Sequence, residues 1–435
     1  MAVNLLEASL VLILALFALL GLGVYVGLAL LLVGLLALAL YTTAPLGPNL
    51  ATALWTATSG WSLAALPLFV WLGEVLYRSR LAQGLFQGLA PLLSRLPGGL
   101  LHVNVVASAL FAAVIGSSAA TTATVGRFTL PELLRRGYPK ALALGSLAGA
   151  GTLGFLIPPS IVMIVYGVMA EVSVARLFMA GVVPGVVLTL LFMLLLAFLA
   201  FLRRDELPKE AVKPLGEALR DFLGVLPVLL LILLVLGSIY LGVATPTEAA
   251  AIGVAGAFLL AALNRELSPT LFWESLLGAV RTTSMIGLIL AGAGVLTLAM
   301  GFTGIPRALA TWAVEAGISP LALIFFLSLV YIVLGCFLDG ISIVVLTISV
   351  ILPVVKAIGV DPLWFGVYLV LMVELAQITP PVGFNLFVLQ SLTGEELFQI
   401  ARYALPFMGV LLLMVALLVA FPGLATWLPR TMTGG

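Results

Sequence analysis

Apolar residues fall in long runs separated by short polar intervals, and ten of the runs approach the ~20 residues a helix needs to cross a ~30 Å hydrocarbon core. They lie at about 5–22, 24–42, 61–77, 141–170, 177–202, 222–242, 247–263, 283–301, 365–392 and 403–424. The pattern predicts an all-α polytopic membrane protein. The strongly polar interval Arg203–Asp221 (RRDELPKEAVKPLGEALRD) divides it near the middle.

Two further apolar stretches, Leu101–Thr129 and Pro320–Val355, do not read as single crossings. The arms of the first meet at Gly116-Ser117-Ser118, and its longer arm, Leu101–Ile115, rises only ~22 Å as a helix. Cations flank both ends (Arg95 before; Arg127, Arg135, Arg136 and Lys140 after), which puts both on the cytoplasmic face. This is the pattern of a re-entrant hairpin. Pro320–Val355 repeats it, with arms meeting around Gly335-Cys336-Phe337-Leu338-Asp339-Gly340.

Each hairpin is followed by a spanning run interrupted by paired prolines, GFLIPPS at Gly154–Ser160 and QITPPVGFN at Gln377–Asn385. Proline removes a donor and clashes with the preceding turn, so each helix is predicted to break there. Unwound backbone survives at membrane depth only where protein or a wet cavity satisfies it. Gly116 to Pro158 is 42 residues and Gly335 to Pro380 is 45, so the hairpin and broken helix form an internal repeat.

Five crossings plus a hairpin in each half is an odd number, so the repeats are expected to be inverted. With the N-terminus outside, Arg78, Arg80, Arg95, Arg127, Arg135, Arg136, Lys140, Arg203, Arg204, Lys209, Lys213, Arg220, Arg265, Arg281 and Arg402 fall inside. Arg176, Arg307, Lys356 and Arg430 fall outside, which is the asymmetry a correct topology gives. The expected organisation is scaffold helices and an interfacial arm in 1–100, hairpin, broken helix and following helix in 101–202, and a cytoplasmic linker in 203–221. Scaffold and arm then recur in 222–317, and hairpin, broken helix and last helix in 318–435. The amphipathic stretches Leu81–Leu96 and Ile305–Ala316 are the arms.

Composition excludes whole classes. At 63% hydrophobic and 9% charged, with mean hydropathy +1.29, the chain is no soluble enzyme. One cysteine, Cys336, and one histidine, His102, rule out an internal disulfide framework and argue against a transition-metal centre. A net charge of +1 gives no reason to expect nucleic acid. No G-x-S-x-G elbow or HExxH helix occurs, so no catalytic residue is assigned.

Inverted repeats with discontinuous helices are how secondary transporters build midplane sites, with half-helix N-termini drawing anions and unwound carbonyls binding Na⁺. In the first expected site, Gly116, Ser117, Ser118 and Ala119 of the tip meet Gly154, Ile157, Pro158, Pro159 and Ser160 of the break. In the second, Gly335, Asp339 and Gly340 meet Thr379, Pro380, Pro381, Gly383 and Asn385. Oxygen-only donors suit a hard cation such as Na⁺ rather than a transition metal. A carboxylate at bilayer depth costs ~2.5–3.5 kcal/mol, which marks Asp339 for function unless it is hydrated near the outer face. Small-residue helix packing is the plainer role for Ser117 and Ser118. Glu74 and Glu248 lie near helix ends, as caps or hydrated groups; Glu374 is deeper, as a coupling carboxylate or a scaffold partner. His102, at a hairpin base, is expected at the interface. No lysine or arginine lies in a midplane element, so an anionic solute would be held weakly by helix N-termini, amides and hydroxyls.

The chain resembles, over almost its full length, the large membrane subunit of the tripartite ATP-independent periplasmic (TRAP) transporters. The matching stretches are LPLFVWLGEVL (67–77), GSSAATTATVG (116–126), GFLIPPSIVMIVYG (154–167), TPTEAAA (245–251), GCFLDGISI (335–343) and QITPPVGFNLFVLQ (377–390). The resemblance implies an elevator-type ion-transporter fold, Na⁺ at both tip-and-break sites as coupling ion, and no other cofactor. It also implies a small membrane subunit, expected here as a separate polypeptide, and a periplasmic substrate-binding protein. The solute would be a small carboxylate such as a dicarboxylate, keto acid or sialic acid. The location implied is the bacterial or archaeal cytoplasmic (inner) membrane, with both termini periplasmic. A stand-alone dicarboxylate/Na⁺ symporter or Na⁺/H⁺ antiporter of the wider ion-transporter group is the alternative; uptake without a binding protein distinguishes it.

Overall fold

The computed structural model describes residues 5–79, 81–208, 210 and 213–432, so Arg80 and Lys209 lie outside the described residues. Regular structure among them is helical throughout. The first half runs α1 (Leu5–Gly21), α2 (Val26–Tyr41), α3 (Leu46–Thr58), α4 (Ala65–Arg78), α5 (Leu81–Leu93), α6 (Leu101–Ile115), α7 (Ser118–Arg135), α8 (Lys140–Leu156), α9 (Ile161–Ala170) and α10 (Val174–Leu202). After the linker helix α11 (Leu215–Phe222) come α12 (Leu226–Tyr240), α13 (Pro246–Leu263), α14 (Pro269–Thr303), α15 (Ile305–Glu315), α16 (Pro320–Gly335), α17 (Gly340–Ala357), α18 (Pro362–Gln377), α19 (Phe384–Thr393), α20 (Leu397–Ala420) and α21 (Gly423–Arg430).

Helix ends follow local chemistry. Thr245 and Glu248 form a capping box at the start of α13, the Thr245 N–H donating to the Glu248 carboxylate at 2.8 Å. Glu248 is therefore the cap its sequence position suggested. Gly116, in the left-handed region at φ +66°, closes α6, and Ser117 begins the next helix in extended conformation. The expected hairpin tip is thus a real helix break. The second lies at Cys336–Asp339, between α16 and α17.

Burial sorts the helices. Every residue of Leu142–Leu156 in α8 and of Trp364–Gln377 in α18 is buried, as expected of a helix that is apolar all round and sheathed by others. Leu190, Leu194 and Phe198 on α10, Leu230, Leu233 and Leu234 on α12, and Phe325 and Phe326 on α16 stay exposed, an apolar surface that belongs to the bilayer. The halves pack by exchange. Helix α2 lies on α14 and α13 on α4; α7 lies on α19 and α17 on α9.

Three differences from the sequence reading concern length. Helix α14 is 35 residues long and begins fourteen positions before the expected span at 283, because its polar first turns with Glu274 and Arg281 continue the helix without adding hydrophobicity. Helix α3 occupies a stretch that falls between the expected spans 24–42 and 61–77 and belongs to neither. Among the described residues six helical segments are long and apolar enough to cross a membrane, or eight if the bent pairs α3–α4 and α11–α12 each count once, against ten expected crossings. Helices α1 and α2, at 17 and 16 residues, fall just below spanning length, while α17, at 18, reaches it although the reading made it a re-entrant arm.

Candidate transport site

The first tip touches the first break directly. The Ile161 N–H at the start of α9 donates to the Gly116 carbonyl at 3.1 Å. A Cβ on Gly116 would lie 2.6 Å from the Pro159 carbonyl oxygen, and one on Gly154 would lie 2.6 Å from that of Ser117, so glycine is required at both places. Ser160 caps α9, its hydroxyl accepting from the Met163 N–H at 3.3 Å. Thr122 donates to the Ser118 carbonyl at 3.0 Å, and the buried hydroxyl of Thr121 has no hydrogen-bond partner. Carbonyl and hydroxyl oxygens therefore converge here with hydrogen-bonding capacity left over. Gly116, Ser117 and Ser118 of the tip thus meet Gly154, Pro159 and the start of α9, while the Ile157 side chain turns to α10, 2.7 Å from where a Cβ on Gly185 would lie.

The second tip meets its broken helix differently. A Cβ on Gly335 would lie 2.5 Å from that of Ala376, and one on Gly340 would lie 2.4 Å from Val373 and 3.5 Å from the Gln377 amide nitrogen. The tip thus seats on the last turns of α18. Half-buried Asp339 is the N-cap of α17, its carboxylate accepting from the Ile341 N–H at 3.1 Å, the Ser342 N–H at 3.4 Å and the Ser342 hydroxyl. In the break, Thr379 donates to the Leu375 carbonyl at 2.7 Å, Pro380–Pro381 is cis as Pro158–Pro159 is, and Gly383 at φ +39° opens α19. Asn385 departs from its expected place: its side chain reaches across to the first tip, accepting from the Ser118 hydroxyl at 3.0 Å and donating to the Ala148 carbonyl at 3.4 Å.

Glu374 is fully buried on α18; its carboxyl faces the Leu156 backbone N–H at the end of α8 in a geometry too poor for an ordinary hydrogen bond, and the Gln377 amide nitrogen one turn on lacks a partner. His102, at the hairpin base, is 2% exposed, with its ring nitrogen 2.7 Å from the Pro97 carbonyl, because the Pro97–Gly99 turn folds over it.

A cavity of about 270 Å³ opens beside the contact of the first tip with the scaffold, where a Cβ on Gly73 would lie 3.1 Å from the Ile115 Cα; it is lined by Gly73, Glu74 and Tyr77 of α4, Thr282 of α14, and Ile115 and Ser117 at the tip. Its volume suits a small organic molecule. Glu74 is neutralised by Arg78 at 3.1 Å, which also pairs with Glu274 at 2.8 Å and so ties α4 to α14. Exposed Arg127, one turn beyond cavity-lining Ala123, lies 4.9 Å over the Tyr77 ring and leaves a cation near the cavity. A larger cavity, about 650 Å³, opens between α5, the end of α7 and the linker, away from both tips. There Arg136 bridges Glu132 and Glu210, each at 2.7 Å, and hydrogen bonds from Arg135 and Arg136 hold the Glu132 carboxyl below the usual carboxylate range.

Comparison with known proteins fits this arrangement. The family model described as "Tripartite ATP-independent periplasmic transporter, DctM component" matches residues 13–424. The C4-dicarboxylate TRAP transporter large permease protein DctM of Pseudomonas aeruginosa is 36% identical over 383 residues, 88% of this chain and 89% of that protein. Its counterpart in Vibrio cholerae is 33% identical over 408 residues, covering 89% and 90%. The YdaH transporter of Alcanivorax borkumensis shares the fold at a TM-score of 0.58 and 16% identity, over 92% of this chain and 97% of that one. The chain therefore belongs to the DctM component family of tripartite ATP-independent periplasmic transporters, multi-pass inner-membrane proteins of transport rather than catalysis.

Proposed function

We propose that the chain imports a small organic anion by sodium-coupled secondary transport, with the hairpins and broken helices moving as a block against the α1–α4 and α12–α14 scaffold. The observation that bears most weight is the first tip: the irregular backbone at Gly116 and at Pro158–Ser160 is buried, tip against break, and the buried Thr121 hydroxyl one turn along α7 is left without a partner. Carbonyl, hydroxyl and carboxylate oxygens at the two tips are the kind of donor that fits Na⁺. Elements of the second half follow the order of the first and pack on it by exchange, which supports two repeats of inverted topology and, with the arginine and lysine distribution, periplasmic termini.

The solute would lie in the 270 Å³ cavity, its carboxylate at the N-terminus of α7, where the Ser117 side chain makes no capping bond. With no lysine or arginine lining the cavity, and Arg127 exposed beyond it, anions are held weakly, so capture by a periplasmic binding protein and docking through a small membrane subunit complete the reading. Relatives named for C4-dicarboxylates and sialic acid point to a carboxylate. The test is uptake into proteoliposomes holding this chain and its small subunit. Accumulation should require both the binding protein and an inward sodium gradient. Uptake indifferent to sodium would overturn the coupling, and uptake by this chain alone would favour a stand-alone carrier.

A further inference from the structure

The two tip-and-break sites are joined by one buried side chain. Asn385 is the second residue of α19, fully buried, so its position is set by the Thr379–Gly383 turn of the second break. Yet its carbonyl oxygen accepts from the Ser118 hydroxyl at 3.0 Å, and its amide nitrogen donates to the Ala148 carbonyl at 3.4 Å. Ser118 is the first residue of α7 at the first tip, and it is fully buried too. One amide thus fastens the far side of the second break to the first tip and to the helix that tip sits on.

The link runs one way between the halves. Ser117 and Asp339 are the N-caps of the two second arms, which pairs Ser118 with Gly340; the proline pairs 158–159 and 380–381 pair Asn385 with Met163. Gly340 has no side chain, and Met163 is buried and apolar. Helices α17 and α9 still pack together, but without this bond. The Ser118–Asn385 contact is therefore no by-product of the repeat. A polar pair buried this deeply is retained at the cost of removing both groups from water.

We propose that Asn385 is a positioning residue that couples the two sodium sites: filling the second break fixes the start of α19, and Asn385 then sets the Ser118 backbone for the ion at the first tip. The inference rests on the sodium reading given above. Coupling between binding sites is reciprocal, so a change at the first tip must be felt at the second.

Half-buried Cys336, the single cysteine of the sequence, lies in the second tip and reports on it. Maleimide labelling of Cys336 in the full chain with its small subunit, titrated with sodium chloride against choline chloride, should show steep protection, with a Hill coefficient above one. Ser118→Ala and Asn385→Ala should each bring that slope to one and raise the half-protecting sodium concentration about fivefold or more, with the double variant no worse than either single one. A Cys336 titration unchanged by both substitutions, or already non-cooperative in the unmodified chain, overturns the proposal. Should Asn385→Ala fail to fold, Ser118→Ala, which removes one oxygen, decides alone. Absence of sodium protection in the unmodified chain refutes the sodium reading instead.

Discussion

Replacing Gly154 by alanine probes the geometry of the first tip. The new methyl would lie 2.6 Å from the Ser117 carbonyl oxygen, 2.7 Å from its carbon and 2.8 Å from the Ser118 Cα, all backbone atoms with no side-chain torsion to yield. Restoring an ordinary 3.4 Å contact to that oxygen requires the tip to withdraw by about 0.8 Å. Overpacking of this kind costs ~1–3 kcal/mol, and alanine in a helix interior returns ~1 kcal/mol, so net destabilisation should be ~0–2 kcal/mol. The protein should remain folded. Affinity suffers more, because a positional error near 1 Å where several groups must converge costs on the order of 100-fold. Sodium-dependent uptake in proteoliposomes should show the half-saturating sodium concentration rising at least about tenfold, a loss of ~1.4 kcal/mol. Gly237→Ala is the control: nothing lies within 4 Å of its Cβ position on α12, so it should stabilise by ~1 kcal/mol and leave sodium dependence alone. Wild-type half-saturation in Gly154→Ala would refute the assignment of this contact to ion binding.

Asp339→Asn keeps an equally good N-cap for α17, so thermal stability should hold within ~0.5 kcal/mol while sodium-dependent uptake falls; unchanged sodium dependence would reduce Asp339 to a cap. Ser117→Val with Ser118→Val fills the tip with methyl groups and severs the Asn385 bond, and uptake should be abolished; normal uptake would make the hairpin structural. Glu374→Met replaces a fully buried carboxyl that faces only the Leu156 backbone N–H, in a geometry too poor to satisfy it, and differential scanning fluorimetry should show stabilisation by ~1–3 kcal/mol together with loss of transport. A lower midpoint would mean that the Leu156 N–H holds Glu374 in place after all.

The breaks were legible because glycine, serine and proline carry local information: Gly116 needs φ +66°, and paired prolines cannot continue α8 or α18. The Thr245–Glu248 box was readable for the same reason, as a cap three residues from its partner. Hydropathy was blind where a helix runs on in polar company, as in the first turns of α14, or carries proline and asparagine, as α3 does at Pro48 and Asn49. At the site, the role of Asn385 was hidden because Ser118 lies 267 residues away and no local pattern pairs them. The depth of Glu374 could be read from its apolar run, but its isolation depends on what α8 and α17 place around it.

Glycine also fixes what stays still. Cβ atoms on Gly27 and Gly34 would lie 2.7 and 2.9 Å from the α14 backbone, and one on Gly292 only 2.0 Å from the Gly27 carbonyl oxygen. Helices α2 and α14 therefore meet main chain to main chain, like two rails with no ballast between them. Neither can roll or slip by a fraction of a turn without collision. Any rigid-body displacement has to leave this pair intact and be taken up at other helix contacts, so mutations that swell the rail contact should damage assembly long before they alter turnover.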